Sequence, residues 1–152
     1  MSVPPVRRAG AGDAEHVARL LVAFRDWYDK DRPSYNEFLT AVRHILETDG
    51  GEFLIAGDPP AGVAQLRFRH SVWTGADDAW LEDLFVDGSA RGAGLGRALL
   101  DAAIARAAER GCKRIELDVD EGNTAARALY ESAAFFSSKR PGERVLLMQK
   151  RL

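Results

Sequence analysis

A glycine-rich turn is the segment of this sequence whose composition most directly indicates chemistry. It reads Arg91-Gly92-Ala93-Gly94-Leu95-Gly96-Arg97 and lies between a β-type run and an alanine-rich helical run. Glycines let backbone amides approach a ligand closely, and a helix N-terminus adds unpaired N–H groups and the positive end of the helix dipole. The turn therefore indicates a site for a diphosphate, although a glycine-rich turn without any ligand would have the same composition.

The spacing of these glycines excludes two common nucleotide motifs. A Walker loop ends in Gly-Lys followed by Ser or Thr, and that ending does not occur here. The dinucleotide pattern Gly-x-Gly-x-x-Gly also fails, because its last position is Arg97 when counted from Gly92 and Leu99 when counted from Gly94.

A second group of polar side chains follows later in the chain. Asn123, Arg127 and Tyr130 are spaced i, i+4 and i+7, so a helix would carry all three on one face. A helix face with these three polar side chains indicates contact with a polar group. Two simpler interpretations stay open, namely that Asn123 is only a helix N-cap and that Tyr130 is a half-buried core aromatic.

Helical periodicity predicts four helices around these groups. Asp13 is expected to cap the first helix, and Ser34 with Glu37 forms a capping box for the second, which begins after Pro33. The third runs from Arg97 to Arg110, and the fourth is short. The apolar stripe expected to be buried in the first helix is Val17, Leu20, Leu21, Phe24, Trp27 and Tyr28.

Seven strand-like runs alternate with these helices, with no linker or repeat that would divide residues 1–152 into more than one domain. The pattern predicts an α+β fold with a mixed, mostly antiparallel sheet of about seven strands and four helices on its faces. The runs are Val3–Arg8, Glu52–Ala56, Gly62–Arg69, Trp80–Val86, Arg114–Val119, Phe135–Phe136 and Arg144–Gln149.

Composition argues against several classes of protein. A net charge of −2 gives no general attraction to nucleic acid or to an anionic membrane. No apolar run approaches the roughly 18 residues that span a bilayer, and a single cysteine leaves no internal disulfide and no cysteine-rich metal site. We expect a cytoplasmic protein without a bound metal, and a homodimer is possible.

Three features in this order resemble the GNAT superfamily of N-acetyltransferases. They are the run from Trp80 to Val86, the Arg-x-x-Gly-x-Gly turn, and the pair Asn123 and Tyr130 on a later helix. The match covers about Trp80 to Phe136. One departure is the sequence Ala133-Ala134-Phe135, where the family usually has a Gly-Phe pair.

The resemblance implies that acetyl-CoA is the co-substrate. It implies that the amides from Gly92 to Arg97 hold the CoA pyrophosphate and that the backbone of Leu84, Phe85 and Val86 pairs with pantetheine like an added strand. It also implies that Asn123 contacts the pantetheine arm and that Tyr130 protonates the departing thiolate. Arg91 and Arg127 are counted with the cofactor-binding residues.

An amine attacks a thioester only as the free base, so a base is needed, and Glu82 is the candidate. Strand alternation would place Trp80, Glu82, Leu84 and Val86 on one face, where partial burial would raise the pKa of Glu82. Glu82 would act directly or through an ordered water, or would instead pair with an arginine at the sheet edge. His70 is the second choice, and Cys112 is expected to be a small buried residue and not an acyl carrier.

Acidic residues dominate two segments expected to flank the cleft. One segment carries Asp77, Asp78, Glu82, Asp83 and Asp87, and the other carries Glu116, Asp118, Asp120 and Glu121. Basic residues gather elsewhere, at Lys139, Arg140, Arg144, Lys150 and Arg151. A negative rim would favour a small cationic amine as the acceptor, unless these acids are merely a solvated face. The alternatives are a protein lysine or N-terminus as acceptor, or a CoA-binding regulatory module without turnover.

Overall fold

The computed structural model describes residue 2, residues 4–137 and residues 140–152. Val3, at the start of the first predicted strand, and Lys139, one of the clustered basic residues, lie outside the described residues. The chain forms two compact units, Met1–Leu117 and Asp118–Leu152. None of its described helices is long and apolar enough to cross a membrane. That the chain is a single domain stays a prediction.

The first unit contains all five strands of the described chain and three of its four α-helices. Its strands are β1 Val6–Arg8, β2 Gly51–Ala56, β3 Gly62–Ser71, β4 Ala76–Val86 and β5 Arg114–Glu116. Its helices are α1 Ala14–Trp27, α2 Tyr35–Leu46 and α3 Leu95–Glu109. The strands lie in sequence order, with antiparallel pairing from β1 to β4 and parallel pairing between β4 and β5.

Each face of the sheet is covered by helices from a different part of the chain. Phe85 of β4 and Val63 of β3 pack in one apolar cluster with residues of α1 and α2, including Val17 and Val42. On the opposite face, a Cβ added at Gly62 would lie 2.9 Å from Leu99 of α3. The four-helix prediction is confirmed, and so is the capping box, in which Ser34 accepts from the Glu37 amide.

One capping prediction is wrong. Asp13 has helical backbone angles and makes no side-chain cap to α1. A short 3-10 turn, Ala11–Asp13, precedes the helix, and the Asp13 carboxylate accepts from the Gly10 amide and from Arg7 instead. Those hydrogen bonds hold the pKa of Asp13 at about 2.

The expected seven strands are not confirmed, because the described residues from 118 onward contain none. The predicted run Phe135–Phe136 follows α4 (Thr124–Ser132) and closes that helix, since the Phe135 amide donates to the Tyr130 carbonyl. The predicted strand Arg144–Gln149 does not form a strand either, and its apolar side chains are exposed from Val145 to Met148. β5 stops at Glu116, three residues before the expected end at Val119, where its pairing with β4 also stops.

Candidate functional site

A β-bulge divides strand β4 at Glu82. Leu81 lies opposite Leu66 of β3, but Asp83 lies opposite the adjacent residue Gln65, so Glu82 is the extra residue. Residues directly opposite each other share a face of the sheet. Leu84, opposite Ala64, therefore shares a face with Leu81 and not with Trp80.

The bulge overturns the predicted common face of Trp80, Glu82, Leu84 and Val86. Trp80 lies on the face of Phe85 that packs against α1 and α2, whereas Leu84 and Val86 lie on the face covered by α3. Glu82 is exposed and is not partly buried among apolar neighbours. The reason is physical: strict alternation assumes an unbroken ladder, and one extra residue exchanges the two faces from that point on.

Strand β4 is paired on both sides only in its first half. β5 runs beside it from Asp78 to Trp80, through the pairs Asp78–Arg114, Ala79–Ile115 and Trp80–Glu116. From Leu81 to Val86 the strand continues along β3 without a second strand beside it in the described part of the first unit. Apart from the Val86 carbonyl, which accepts from Arg91, the backbone groups on that edge could pair with an extended ligand.

The glycine-rich turn leads from β4 into α3, as the sequence indicated. Gly94 is the N-cap of α3 with φ +82° and provides no side-chain cap, so the first amides of the helix have no intrahelical partner. Gly92 has φ +83°. A Cβ at either glycine would meet no atom within 4 Å, so the turn borders open space. These features fit a diphosphate held by backbone amides and the helix dipole.

Arg91, at the start of the turn, contacts both the end of β4 and helix α1. Its Nε donates to the Val86 carbonyl at 3.1 Å. The guanidinium carbon lies 5.8 Å from the ring centroid of Trp27 and 5.8 Å from that of Phe85. The side chain thereby joins the turn to the apolar face on which α1 packs.

Sequence reasoning missed the exposed aromatic end of α1. Trp27 and Tyr28 were expected to be buried with the rest of the helix stripe, but they are 50% and 43% exposed. Phe24 stacks on Phe85 with ring centroids 4.9 Å apart and also contacts Trp27 and Tyr28. The spacing gave no signal of this exposure, because Trp27 and Tyr28 continue the same apolar periodicity to the end of α1.

The second unit holds the polar stripe of the later helix. The Asn123 side chain accepts from the Ala126 amide at 3.2 Å, which is the N-cap arrangement left open above. Arg127 donates to the Glu121 carbonyl at 3.1 Å and lies 3.7 Å from Glu131. Tyr130 is half-buried, and its ring lies 5.9 Å from that of Phe135.

Several acids counted toward a negative rim are already paired with arginines. Asp78 is only 2% exposed and accepts from Arg114 Nε at 3.0 Å. This hydrogen bond lowers the pKa of Asp78. Glu116 lies 3.3 Å from Arg114. Arg114 lies outside the two acidic segments that were counted, so the sequence overstated the local negative charge.

The candidate bases differ in their surroundings. Glu82 forms no ion pair with any described residue, so the alternative in which it pairs with an arginine finds no support there. His70 lies 3.4 Å from Asp77 and is exposed at the far end of β3. Burial raises the pKa of the half-buried Cys112 thiol, which disfavours the nucleophilic thiolate.

Of the predicted site residues, the first unit brings together Glu82, the backbone of residues 84–86 and the turn from Arg91 to Arg97 on one continuous stretch. Asn123, Arg127 and Tyr130 belong to the second unit. The family model of the acetyltransferase (GNAT) family matches residues 17–135, a span that includes part of both units. The chain belongs to the GNAT family of acetyltransferases.

Individual relatives agree with this assignment. The chain is 31% identical over 144 residues to aminoglycoside N(6')-acetyltransferase type 1 of Stenotrophomonas maltophilia, covering 91% of this chain and 90% of that protein. It is 37% identical over 136 residues to mycothiol acetyltransferase of Salinispora tropica, covering 84% of this chain but only 42% of that longer protein. A crystal structure from Arthrobacter sp. FB24, assigned as an acetyltransferase, superposes with a TM-score of 0.89 at 35% identity, covering 100% and 97% of the two chains.

This GNAT chain is therefore an acyl-CoA-dependent N-acetyltransferase, and the expectation of an enzyme is confirmed. The fold is the α+β fold of the family, with a five-stranded mixed sheet in the described residues.

Proposed function

We propose that this enzyme transfers an acetyl group from acetyl-CoA directly to the primary amine of a small cationic molecule. The observation that carries the proposal is the continuity of β4 with the glycine-rich turn. An edge without a second strand, from Leu81 to Val86, leads through residues 87–94 to the uncapped amides of α3. That order suits a ligand with an amide-containing arm followed by a diphosphate.

The donor would be held almost entirely by backbone groups. The peptide groups of Leu84, Phe85 and Val86 would pair with the pantetheine amides, and those from Gly92 to Arg97 would bind the pyrophosphate. Such contacts depend on the conformation of the chain and not on particular side chains, which is why glycine is needed at φ +82° and +83°. Asn123 and Arg127 would contribute polar contacts from α4.

Acetyl-CoA supplies a thioester carbonyl that an amine can attack. Glu82 would take the proton from the acceptor ammonium, either directly or through a water, so that the nitrogen lone pair forms the new C–N bond. Collapse of the tetrahedral adduct breaks the C–S bond, and the Tyr130 hydroxyl would give its proton to the departing sulfur. The adduct nitrogen would lose its second proton in the same step, through solvent, and that proton would restore the Tyr130 hydroxyl.

The cationic acceptor is supported by Glu82 and by the relative that acetylates aminoglycosides. The acidic rim itself supports it less than the sequence indicated, because Asp78 and Glu116 are both paired with Arg114, which offsets one of their two negative charges. The negative electrostatic potential of the remaining acidic residues would still attract a cationic acceptor, and this attraction weakens as salt rises.

An acceptor panel tests the proposal. Neamine, spermidine, ethanolamine and a lysine-containing peptide would be assayed by release of free CoA thiol and by mass of the product. We expect the best acceptor to be a small cation whose kcat/KM falls as salt rises, because the Debye length shrinks from about 10 Å at 0.1 M to about 3 Å at 1 M. A neutral best acceptor with salt-independent kcat/KM, or preference for the peptide, would contradict it.

A cysteine substitution tests whether the acetyl group passes directly from acetyl-CoA to the amine. Cys112→Ser should keep full activity, because no acyl-enzyme is proposed. An acetylated Cys112 trapped on the enzyme would contradict transfer within a ternary complex.

A further inference from the structure

A cavity of about 330 Å³ lies in the first unit, where β1 ends, α2 ends and β2 begins. Its lining residues are Arg8, Ala9, Gly10, Leu46, Gly51 and Glu52. None of these six belongs to β4 or to the glycine-rich turn, so the proposed acetyl transfer does not use them. The volume is at the lower end of the range for small-molecule sites. We call this space the Arg8 cavity.

The wall of the Arg8 cavity includes a carboxylate whose charge is already balanced. The Glu52 side chain is 1% exposed. Its two oxygens accept from Arg106 of α3, at 2.8 Å and 2.7 Å, and Arg110 approaches one of them to 3.5 Å. Burial would raise the pKa of Glu52, but the hydrogen bonds from Arg106 and the charges of the surrounding arginines outweigh burial and lower the pKa. Glu52 is therefore ionised and is neutralised from the side of α3.

Arg8 is a further arginine at this carboxylate, and its contact is longer than that of Arg106. One terminal nitrogen of Arg8 lies 3.4 Å from the Glu52 oxygen to which Arg106 donates at 2.7 Å. Within the described part of the chain, Glu52 is the one acid at ion-pair distance from Arg8, whose side chain is 56% exposed. Since Arg106 already balances Glu52, the charge of Arg8 remains for another anion.

The other acids of this cluster do not take up that charge. Asp49 lies 3.4 Å from Arg110, and Glu109 lies 3.2 Å from Arg106. Both carboxylates are exposed, so solvent and salt screen them.

The lining indicates which anion would fit. A guanidinium matches a carboxylate because its planar fork donates to both oxygens, and Arg8 contacts Glu52 through only one terminal nitrogen. Ala9 and Leu46 line the same cavity and suit a short alkyl chain. A single arginine balances a monoanion better than the double charge of phosphate. We propose that the Arg8 cavity is a second binding site of this protein, which takes a small aliphatic monocarboxylate through the Arg8 guanidinium.

Occupation of the cavity should stabilise the first unit. Arg8, Glu52 and Arg106 belong to β1, β2 and α3, so the cluster joins three elements at the site. A ligand that binds the folded chain and not the unfolded chain raises the free energy of unfolding as its concentration rises. The inference is independent of the proposed function, because no step of acetyl transfer involves these residues.

The test compares butyrate with butyramide, a neutral ligand of the same size, on the full chain at constant ionic strength. We expect butyrate to raise the melting temperature of the wild type by a few degrees at saturation, and butyramide to have little effect. In Arg8→Gln, calorimetric titration should show a roughly 10- to 100-fold weaker affinity for butyrate, the size of a lost charge-assisted hydrogen bond. Arg69→Gln is the matched control, since Arg69 is also exposed and lies 4.0 Å from its acid, Glu116.

A localised measurement separates specific binding from a general salt effect. Titration with butyrate should shift the amide NMR signals of Gly10 and Gly51 in the wild type and in Arg69→Gln, but not in Arg8→Gln. Equal butyrate affinity in the wild type and Arg8→Gln, or no binding by the wild type, would overturn the site. Equal binding of butyramide, or tighter binding of inorganic phosphate, would overturn the assignment to a monocarboxylate. Each of these results can be read whether or not the chain acetylates the panel amines.

Discussion

The two halves of strand β4 differ in how they are held. The first half, Ala76–Leu81, is paired with β3 and, from Asp78 to Trp80, also with β5. It includes Asp78, which is buried and bonded to Arg114. The second half, Glu82–Val86, begins at a bulge and is paired with β3 alone in the described part of the first unit. One strand thus supplies a fixed anchor and an edge open to a ligand. We therefore expect changes in the first half to affect stability and changes in or after the second half to affect turnover.

The largest expected effect lies where the second half continues into the glycine-rich turn. Gly94→Asp should weaken acetyl-CoA binding by roughly 100-fold or more, because a carboxylate would be placed beside the bound diphosphate. Calorimetric titration of the folded variant measures this. The matched control is Gly111→Asp, since Gly111 follows the other end of α3 with φ +82° and equally open space.

Both glycine variants should lose about 1–2 kcal/mol of stability from the left-handed backbone conformation, so they isolate the effect of position. Equal acetyl-CoA affinity in the two variants would show that the glycine-rich turn does not bind the donor.

The next effect concerns proton delivery to the departing sulfur. Tyr130→Phe should lower kcat roughly 10- to 1,000-fold, with a smaller change in acetyl-CoA affinity, because it removes the hydroxyl and keeps the ring. Pre-steady-state kinetics would show whether chemistry limits the rate. Tyr35→Phe, at the first residue of α2, is the control and should be neutral. An unchanged chemical step in Tyr130→Phe would exclude Tyr130 as the acid.

A direct comparison of the two halves uses two carboxylate-to-amide changes. Glu82→Gln should lower kcat/KM roughly 10- to 100-fold and flatten its dependence on pH, while the melting temperature stays near that of the wild type. Asp78→Asn should do the opposite, lowering the melting temperature by a few degrees with nearly normal kinetics. Thermal melts and a pH–rate profile decide between them. If Glu82→Gln and Asp78→Asn lowered turnover by similar amounts, the proposal that the two halves of β4 have different roles would be wrong.

The smallest effect is a change in acid sensitivity. Arg114 keeps the pKa of Asp78 below its ordinary value in the folded protein, so the unfolded chain takes up the proton first as pH falls. The pairing therefore contributes stability above about pH 4 and loses it as pH falls below that value. Asp78→Asn should show a flatter loss of stability between about pH 4 and pH 2 than the wild type. Parallel denaturation curves would contradict this.

Local signals in the sequence predicted much of the fold and part of the candidate site. The capping box at Ser34 and the turn that begins α3 depend on residues close together in the chain, and α3 begins at Leu95, two residues before its predicted start. The place of the glycine-rich turn between a strand and a helix could be predicted for the same reason, and its role in donor binding stays a prediction.

What could not be predicted depends on residues far apart in the chain. The bulge at Glu82 exists because β3 and β4 are paired in a register that their separate patterns do not specify. The neutralisation of Asp78 requires Arg114, which is 36 residues away. Trp27 has the spacing of a buried residue but is half-exposed, and this depends on which elements pack around the end of α1.

The bulge at Glu82 also determines how β4 would respond to the insertion or deletion of a residue. An inserted residue normally exchanges core and solvent side chains along the rest of a strand, but here the exchange is already present and both halves place apolar residues in the core. Leu81 and Phe85 are four positions apart, an even spacing, yet they are buried on opposite faces of the sheet. The strand is thus two short strands of opposite phase joined at one residue. Removing Glu82 would restore a regular ladder, and one half would then turn its apolar side chains to the wrong face.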